Sequence, residues 1–304
     1  MRSLLKRILY RAVGKYLERM MQGASVVSNP HLSAKVIPFE RRVISDGTKL
    51  VVCRRGGATS AGSDPPPVPP SELREGWVGS DEDYLERGRR DMATMLRILE
   101  DAGAAPDDFG RVLDFGCAGG RMLRFYPDPD LRECWGVDIK APHIVWCQEH
   151  LSPPFLFAAT TTLPHLPFED NYFDLVYCSS VFTHIGDLPD STLLELRRVL
   201  RPGGFAYVTI HDEHSIESLF HRYQDRGLTE LVRDLDAETG VLQQDYAFFY
   251  VGADPWTLVF YDSRYLIEKW SRMMAVESMT PEAMDYQTAI VLRKRPQREP
   301  SKST

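Results

Sequence analysis

The chain has 304 residues, 43% of them hydrophobic and 26% charged, enough apolar material for one large packed domain with an extension. Five cysteines (Cys53, Cys117, Cys134, Cys147 and Cys178) lack paired spacing, which argues against a disulfide framework or a cysteine metal site and for a reducing, cytoplasmic setting. The net charge of −7 conceals an asymmetry: residues 1–60 carry twelve Lys/Arg against three Asp/Glu, so a basic arm precedes an acidic body, and an acidic body is a poor partner for nucleic acid.

Within the arm, Leu4, Leu5, Ile8, Leu9, Ala12, Val13, Tyr16, Leu17 and Met20 share one helical face, and Arg2, Lys6, Arg7, Arg11, Lys15 and Arg19 the other. Two readings of this cationic amphipathic helix over residues 1–22 stand open: peripheral contact with the inner membrane face, or packing on the protein itself or a partner. Two β-rich runs around Asp46-Gly47 predict a small hairpin, and the DPPPVPP stretch ending at Pro70 predicts a linker. The expected organisation is an N-terminal extension over 1–70, a main domain over 71–296 and a disordered tail over 297–304.

Ser80 to Gly103 reads as a helix capped by Ser80, with acidic residues in its first turn. Strand-like runs then alternate with helical spacing: Arg111–Phe115, Glu133–Val137, Phe155–Ala158, Phe173–Cys178 and Phe205–Ile210, with helices over Ala141–His150 and Ser191–Leu200. Such alternation implies an α/β, doubly wound, mostly parallel sheet covered by helices on both faces. The pattern breaks after Ile210 and resumes with a helix over Ser263–Trp270 and two runs, Met274–Ser278 and Tyr286–Arg293, expected to pair as an edge hairpin joined through Pro281. The aromatic-rich insertion Ser215–Tyr261 suits a lid over a cleft, or a secondary core, or both.

The first strand runs directly into Gly116, Gly119 and Gly120, a turn whose main-chain N–H groups are free to close on a ligand. RVLDFGCAGGR, WGVDIK, LPHLPFEDNYFDLVYCSSVFTHI and ELRRVLRPGGFAYVTI, in this order, resemble the successive motifs of class I S-adenosylmethionine-dependent methyltransferases. The resemblance covers roughly Ser80 to Lys294 and implies a seven-stranded Rossmann-like sheet whose last strand is antiparallel, with S-adenosyl-L-methionine as cofactor. It implies that Gly116, Cys117 and Ala118 wrap the methionine portion above Asp114 and that Asp138 accepts the ribose hydroxyls. It also implies that Ile139 lies against the adenine, that Thr162 and Leu163 stand where an acidic residue often holds the adenine amine, and that the Ser179 carbonyl meets the cofactor amine. Ala118 departs from the glycine more usual in the family.

Methyl transfer to a hydroxyl needs placement and a base, and His184 and His211, after the fourth and fifth strands, are the candidates. The run His211-Asp212-Glu213-His214 is too contiguous to converge on one metal ion, so none is expected. The expected activity is O-methylation of a small-molecule or glycolipid acceptor, on a sugar, lipid-linked or secondary-metabolite hydroxyl. The alternative is a catalytically silent cofactor-binding module recruited through its N-terminal helix.

Overall fold

The protein is described by a computed structural model over residues 39–43, 49–53, 66–75, 79–186, 189–223, 226–251 and 257–296; the first two segments and residue 226 are described as backbone only. The expected amphipathic helix of residues 1–22, most of the linker and the tail over 297–304 lie outside the described residues. Strands β1 (Phe39–Val43) and β2 (Lys49–Cys53) pair antiparallel as the Asp-Gly signal predicts.

Helix α1 (Asp81–Asp101) begins at a reciprocal cap: Asp83 N–H donates to Ser80 Oγ (3.1 Å) and Ser80 N–H donates to Asp83 Oδ2 (3.0 Å). Strands β3 (Arg111–Phe115), β4 (Glu133–Asp138), β5 (Leu156–Ala159), β6 (Phe173–Cys178) and β7 (Leu200–Ile210) are parallel and alternate with helices α2 (Ala141–His150) and α3 (Pro189–Val199). Beyond β7 come α4 (Glu213–Ser218), a single π turn at Leu219–Tyr223, α5 (Arg226–Thr239), a hairpin of β8 (Phe248–Val251) and β9 (Leu258–Tyr261), then α6 (Ser263–Trp270). The chain closes with β10 (Ala275–Met284) and β11 (Gln287–Arg293). The seven-stranded sheet has the order β10-β11-β7-β6-β3-β4-β5, with β11 antiparallel to both neighbours.

Successive residues of the central strands point to opposite faces, and both faces are buried. Leu113, Val176, Val208 and Ile290 pack with Leu193, Leu196 and Trp270 from α3 and α6, while Val112, Leu175, Tyr207 and Val291 pack with Met92, Met95, Leu99 and Ile144 from α1 and α2. This two-sided burial explains why these strands read as nearly continuous apolar runs.

Two boundary expectations are corrected. Pro281 does not join the last two strands: it lies inside β10, where the register with β11 shifts between Thr280 and Met284, and the turn is Asp285-Tyr286. A proline, lacking an N–H, is tolerated at such an interruption of an edge ladder. Pro202-Gly203-Gly204 is a bulge within β7, stitched to the end of β11 by Gly203 N–H to Lys294 O (2.8 Å) and Lys294 N–H to Gly204 O (2.9 Å). The insertion after β7 forms a small third core from Ile216, Leu219, Leu228, Val232 and Phe260. Among the described residues, no helix is long and apolar enough to cross a membrane.

Candidate active site

The sheet order reverses between β3 and β6, and the carboxyl ends of these strands, with those of β4 and β7, form the crevice where open α/β sheets hold ligands. Asp114, Gly116, Cys117, Ala118, Asp138 and Ser179 all come to these strand ends. The sequence suggested open N–H groups in the glycine turn, but those of Gly116, Cys117, Ala118 and Gly120 are taken up by the protein. Gly116 and Cys117 N–H both donate to Val137 O (2.8 and 3.0 Å), and Ala118 N–H donates to Asp138 Oδ2 (2.9 Å). The end of β4 therefore continues the ladder beyond β3 and holds the turn from the side.

Protein atoms also explain each glycine. A Cβ on Gly116 would lie 2.4 Å from Val181 Cγ2, one on Gly120 2.5 Å from Leu151 Cδ1, and one on Gly119 3.0 Å from Pro69 and 3.1 Å from Leu73 O. Gly116 and Gly120 also have φ of +85° and +70°. Ala118, at φ +44°, is a left-handed non-glycine residue in this turn, and its amide is the one Asp138 captures. The Cys117 side chain is buried inward and burial pushes its thiol up.

Asp114 lies fully buried beneath the turn, accepting from the Tyr177 hydroxyl (2.9 Å). Burial raises its carboxyl to about 7, against the opposing pull of Tyr177 and Arg121 and with a further push from Asp138. Asp138 is also shifted upward, by burial first, while the Lys140 and Ala118 amides hold it down. Its two oxygens each accept one amide, Oδ1 from Lys140 N–H (2.8 Å) and Oδ2 from Ala118 N–H. A carboxylate oxygen has a second lone pair, so both remain able to accept a hydroxyl. Ile139 beside it is exposed, as are Thr162 and Leu163 in the loop after β5. That loop leaves β5 through Thr160, whose N–H donates to Asp138 O (2.8 Å).

Ser179 ends β6 with a buried Oγ that has no partner. The next residue, Ser180, has φ +59° and is secured by a polar network: its N–H donates to Thr209 Oγ1 (2.7 Å), its Oγ accepts from Gln287 Nε2 (3.0 Å), and Thr209 Oγ1 donates to Gln287 Oε1 (2.7 Å). Gln287 and Thr209 give no motif signal in the sequence, since each reads as an ordinary strand position.

The segment before α1 adds Pro69, Leu73 and Glu75, which sequence reasoning missed. Pro69 and Leu73 cover Gly119, Arg74 Nε donates to Pro69 O (2.8 Å), and Glu75 pairs with Lys140 Nζ and lies 2.8 Å from His143 Nε2. The His143 hydrogen bond, followed by Lys140, holds Glu75 down at about 2 despite its partial burial. Tyr84 and Arg74 are placed as core and tether: Tyr84 is buried with the Arg74 guanidinium 5.4 Å above its ring.

The two histidines differ sharply. His211 is buried with Phe260 on one side (centroids 5.0 Å apart, 29° between planes) and Tyr286 on the other (5.4 Å). Neither ring nitrogen makes a regular hydrogen bond, and burial, with His184 nearby as a lesser cause, lowers the ring to about 3, the Val259 carbonyl acting weakly the other way. His211 is therefore a neutral imidazole near pH 7. His184 is exposed, with Nδ1 2.8 Å from the Thr257 carbonyl oxygen. Of the adjacent polar residues, Asp212 caps α4 by accepting from Ser215 N–H (2.9 Å), and His214 Nε2 faces Glu282 Oε1 (3.3 Å).

Residues 113–208 match the family described as methyltransferase domain. Over 117 residues the chain is 32% identical to malonyl-[acyl-carrier protein] O-methyltransferase of Salmonella typhimurium, covering 38% of this chain and 45% of that protein. It is 34% identical over 106 residues to an uncharacterized methyltransferase of Schizosaccharomyces pombe, covering 31% and 37%. The chain thus spans less than half the length of these curated relatives. Among solved structures it is similar to a SAM-dependent methyltransferase of Methanosarcina mazei (TM-score 0.47, 16% identity, 62% of this chain and 94% of that one). It is also similar to 1,6-didemethyltoxoflavin-N1-methyltransferase of Burkholderia thailandensis, solved with S-adenosylhomocysteine bound (TM-score 0.45, 14% identity, 72% and 92%).

The residues present fit an adenosyl donor: a two-oxygen acceptor at the end of β4, exposed apolar side chains beside it, and an unpartnered buried hydroxyl at the end of β6. Residues 113–208 are a methyltransferase domain, and the seven-stranded sheet that contains them has the strand order and antiparallel β11 of the class I S-adenosylmethionine-dependent methyltransferase fold.

Proposed function

We propose that the protein transfers a methyl group to a hydroxyl of a small or medium acceptor, on a sugar, lipid-linked or secondary-metabolite scaffold, with His184 as the base. The observation that carries this reading is the 2.8 Å contact between His184 Nδ1 and the Thr257 carbonyl oxygen. A carbonyl only accepts, so Nδ1 carries the hydrogen and Nε2 keeps its lone pair. The ring is exposed, so that lone pair is available to an acceptor hydroxyl.

Asp138 would hold the ribose hydroxyls, Ile139 and Leu163 the adenine, and Ser179 with Asp114 the amino-acid end of S-adenosylmethionine, which when bound supplies an electrophilic methyl carbon on a positively charged sulfur. His184 would take the proton of the acceptor hydroxyl, and the residues named above would orient the donor toward the acceptor oxygen. His211, neutral, buried and held between two aromatic rings, serves as a wall at this end of the crevice. The insertion over 215–261 acts as the lid that closes this end of the crevice. The O-methyltransferase named among the relatives supports oxygen as the atom methylated.

The test is transfer of a labelled methyl group from S-adenosylmethionine into hydroxyl-bearing glycolipid and metabolite fractions. His184→Asn should lower turnover by about 100-fold or more, the usual contribution of a placed base, while donor affinity holds. Donor binding without transfer to any fraction would instead identify a silent cofactor-binding module.

A further inference from the structure

We propose that the β8–β9 hairpin orients the base from outside the sheet, and that Gly186 is the gap through which it does so. The inference rests on the reading of His184 given above. Strand β9 runs along the tips of the sheet and is attached there by main-chain hydrogen bonds. Val259 N–H donates to Thr183 O (2.9 Å), and Tyr261 N–H donates to His211 O (2.9 Å). Thr257, just before the strand, brings its carbonyl to His184 Nδ1. The hairpin thus grips residues on both sides of the base, at 183 and 184 after β6 and at 211 after β7.

The approach is close because one side chain is missing. A Cβ on Gly186 would stand 3.1 Å from Thr257 Cγ2 and 3.4 Å from Tyr250 Cγ, so the nearest described atoms it would meet belong to the hairpin. Gly186 is not in the left-handed region, so a larger residue there strains no backbone of its own. Its effect passes to Thr257, and through the Thr257 carbonyl to the imidazole. Without that acceptor the ring has no fixed tautomer, and a ring protonated on Nε2 cannot take a proton from the acceptor. Gly186 and Thr257 are positioning residues; neither has to touch a substrate.

The experiment is long-range nitrogen–proton NMR of the histidine rings in the 15N-labelled full chain, at a pH where His184 is neutral and without donor or acceptor. His184 is assigned by its disappearance in H184N. The expected result is a protonated Nδ1 and an unprotonated Nε2 in the wild type, and a mixture of both tautomers in Gly186→Val. Gly186→Ala, which adds only the single atom considered above, should give an intermediate mixture and serves if the valine variant does not fold. In parallel, kcat for methyl transfer should fall roughly tenfold in the valine variant, part of what a placed base supplies, with the Kd for S-adenosylmethionine unchanged. A wild-type ring protonated on Nε2, or a tautomer unmoved in both variants, overturns the proposal. These results are separable from the base assignment: if H184N retains full turnover the base reading fails, whatever the ring spectrum shows.

Discussion

Asp114→Asn should stabilise the ligand-free protein at neutral and alkaline pH. Asp114 is buried, and its carboxyl is raised from 3.8 to about 7, desolvation being the largest cause. A folded-state value above the unfolded one means the native state binds the extra proton. Wild-type stability is therefore undiminished by this group below pH 4, falls as pH rises through the interval from 4 to 7, and stays reduced above it. Three pH units at about 1.4 kcal/mol each place the full penalty at about 4 kcal/mol by pH 8. An asparagine keeps an oxygen to accept from the Tyr177 hydroxyl, which now lies 2.9 Å from Oδ2, so the exchange removes the charge and retains the bond. The assay is urea unfolding of both proteins at pH values from 4 to 9, plotted as the difference in unfolding free energy. The difference should grow in the variant's favour from pH 4 to 7 and then level off. A flat difference, or one that turns against the variant as pH rises, would refute the argument that burial dominates this carboxyl. Donor affinity should move the other way, because the asparagine offers no charge to the amino group of the donor.

Ala118→Gly should raise stability by about 1 kcal/mol in thermal or urea unfolding, since it relieves a left-handed alanine at φ +44° at the cost of some unfolded-state entropy. His211→Phe should show a stability gain over wild type about 2 kcal/mol larger at pH 5 than at pH 8. The wild-type ring, held to about 3 when folded, is penalised once pH falls below the unfolded value of 6.5; an equal gain at both pH values would show that the ring titrates normally. Asp138→Asn leaves one oxygen for the two amides now held by Oδ1 and Oδ2, so it should cost about 1 kcal/mol of stability and weaken S-adenosylmethionine binding at least tenfold by calorimetry. Unchanged affinity would remove Asp138 from the donor site.

The sheet was legible in the sequence because its strands are buried on both faces and its turns carry glycine and proline, so strand limits such as Arg111–Phe115 and Phe173–Cys178 are written in composition. Asp114, Asp138 and Ser179 were singled out by the motif resemblance, and the fold brings them to the strand ends. What lay hidden depends on contacts between distant segments. Glu75 meets His143 across 68 positions, Thr209 meets Gln287 across 78, and Thr257 meets His184 across 73. No local period marks such pairs. The glycine turn was legible as a turn but not in its reason, because whether a missing Cβ makes room for a ligand or for Val181, Leu151 and Pro69 is decided by residues that the spacing does not reveal. His184 and His211 looked equivalent as two histidines after two strands; the aromatic rings of Phe260 and Tyr286, from elsewhere in the chain, make one of them inert to titration near neutrality.

The short stretch from Pro69 to Glu75 fastens onto the two loops proposed to hold the two ends of the donor, through Gly119 on one and through Lys140 and His143 near the other. With the donor held as proposed, a disturbance at Pro69 would reach these loops without passing through the β-sheet. A fusion or truncation near residue 66 should therefore alter S-adenosylmethionine affinity, however remote from the chemistry it looks on a linear map.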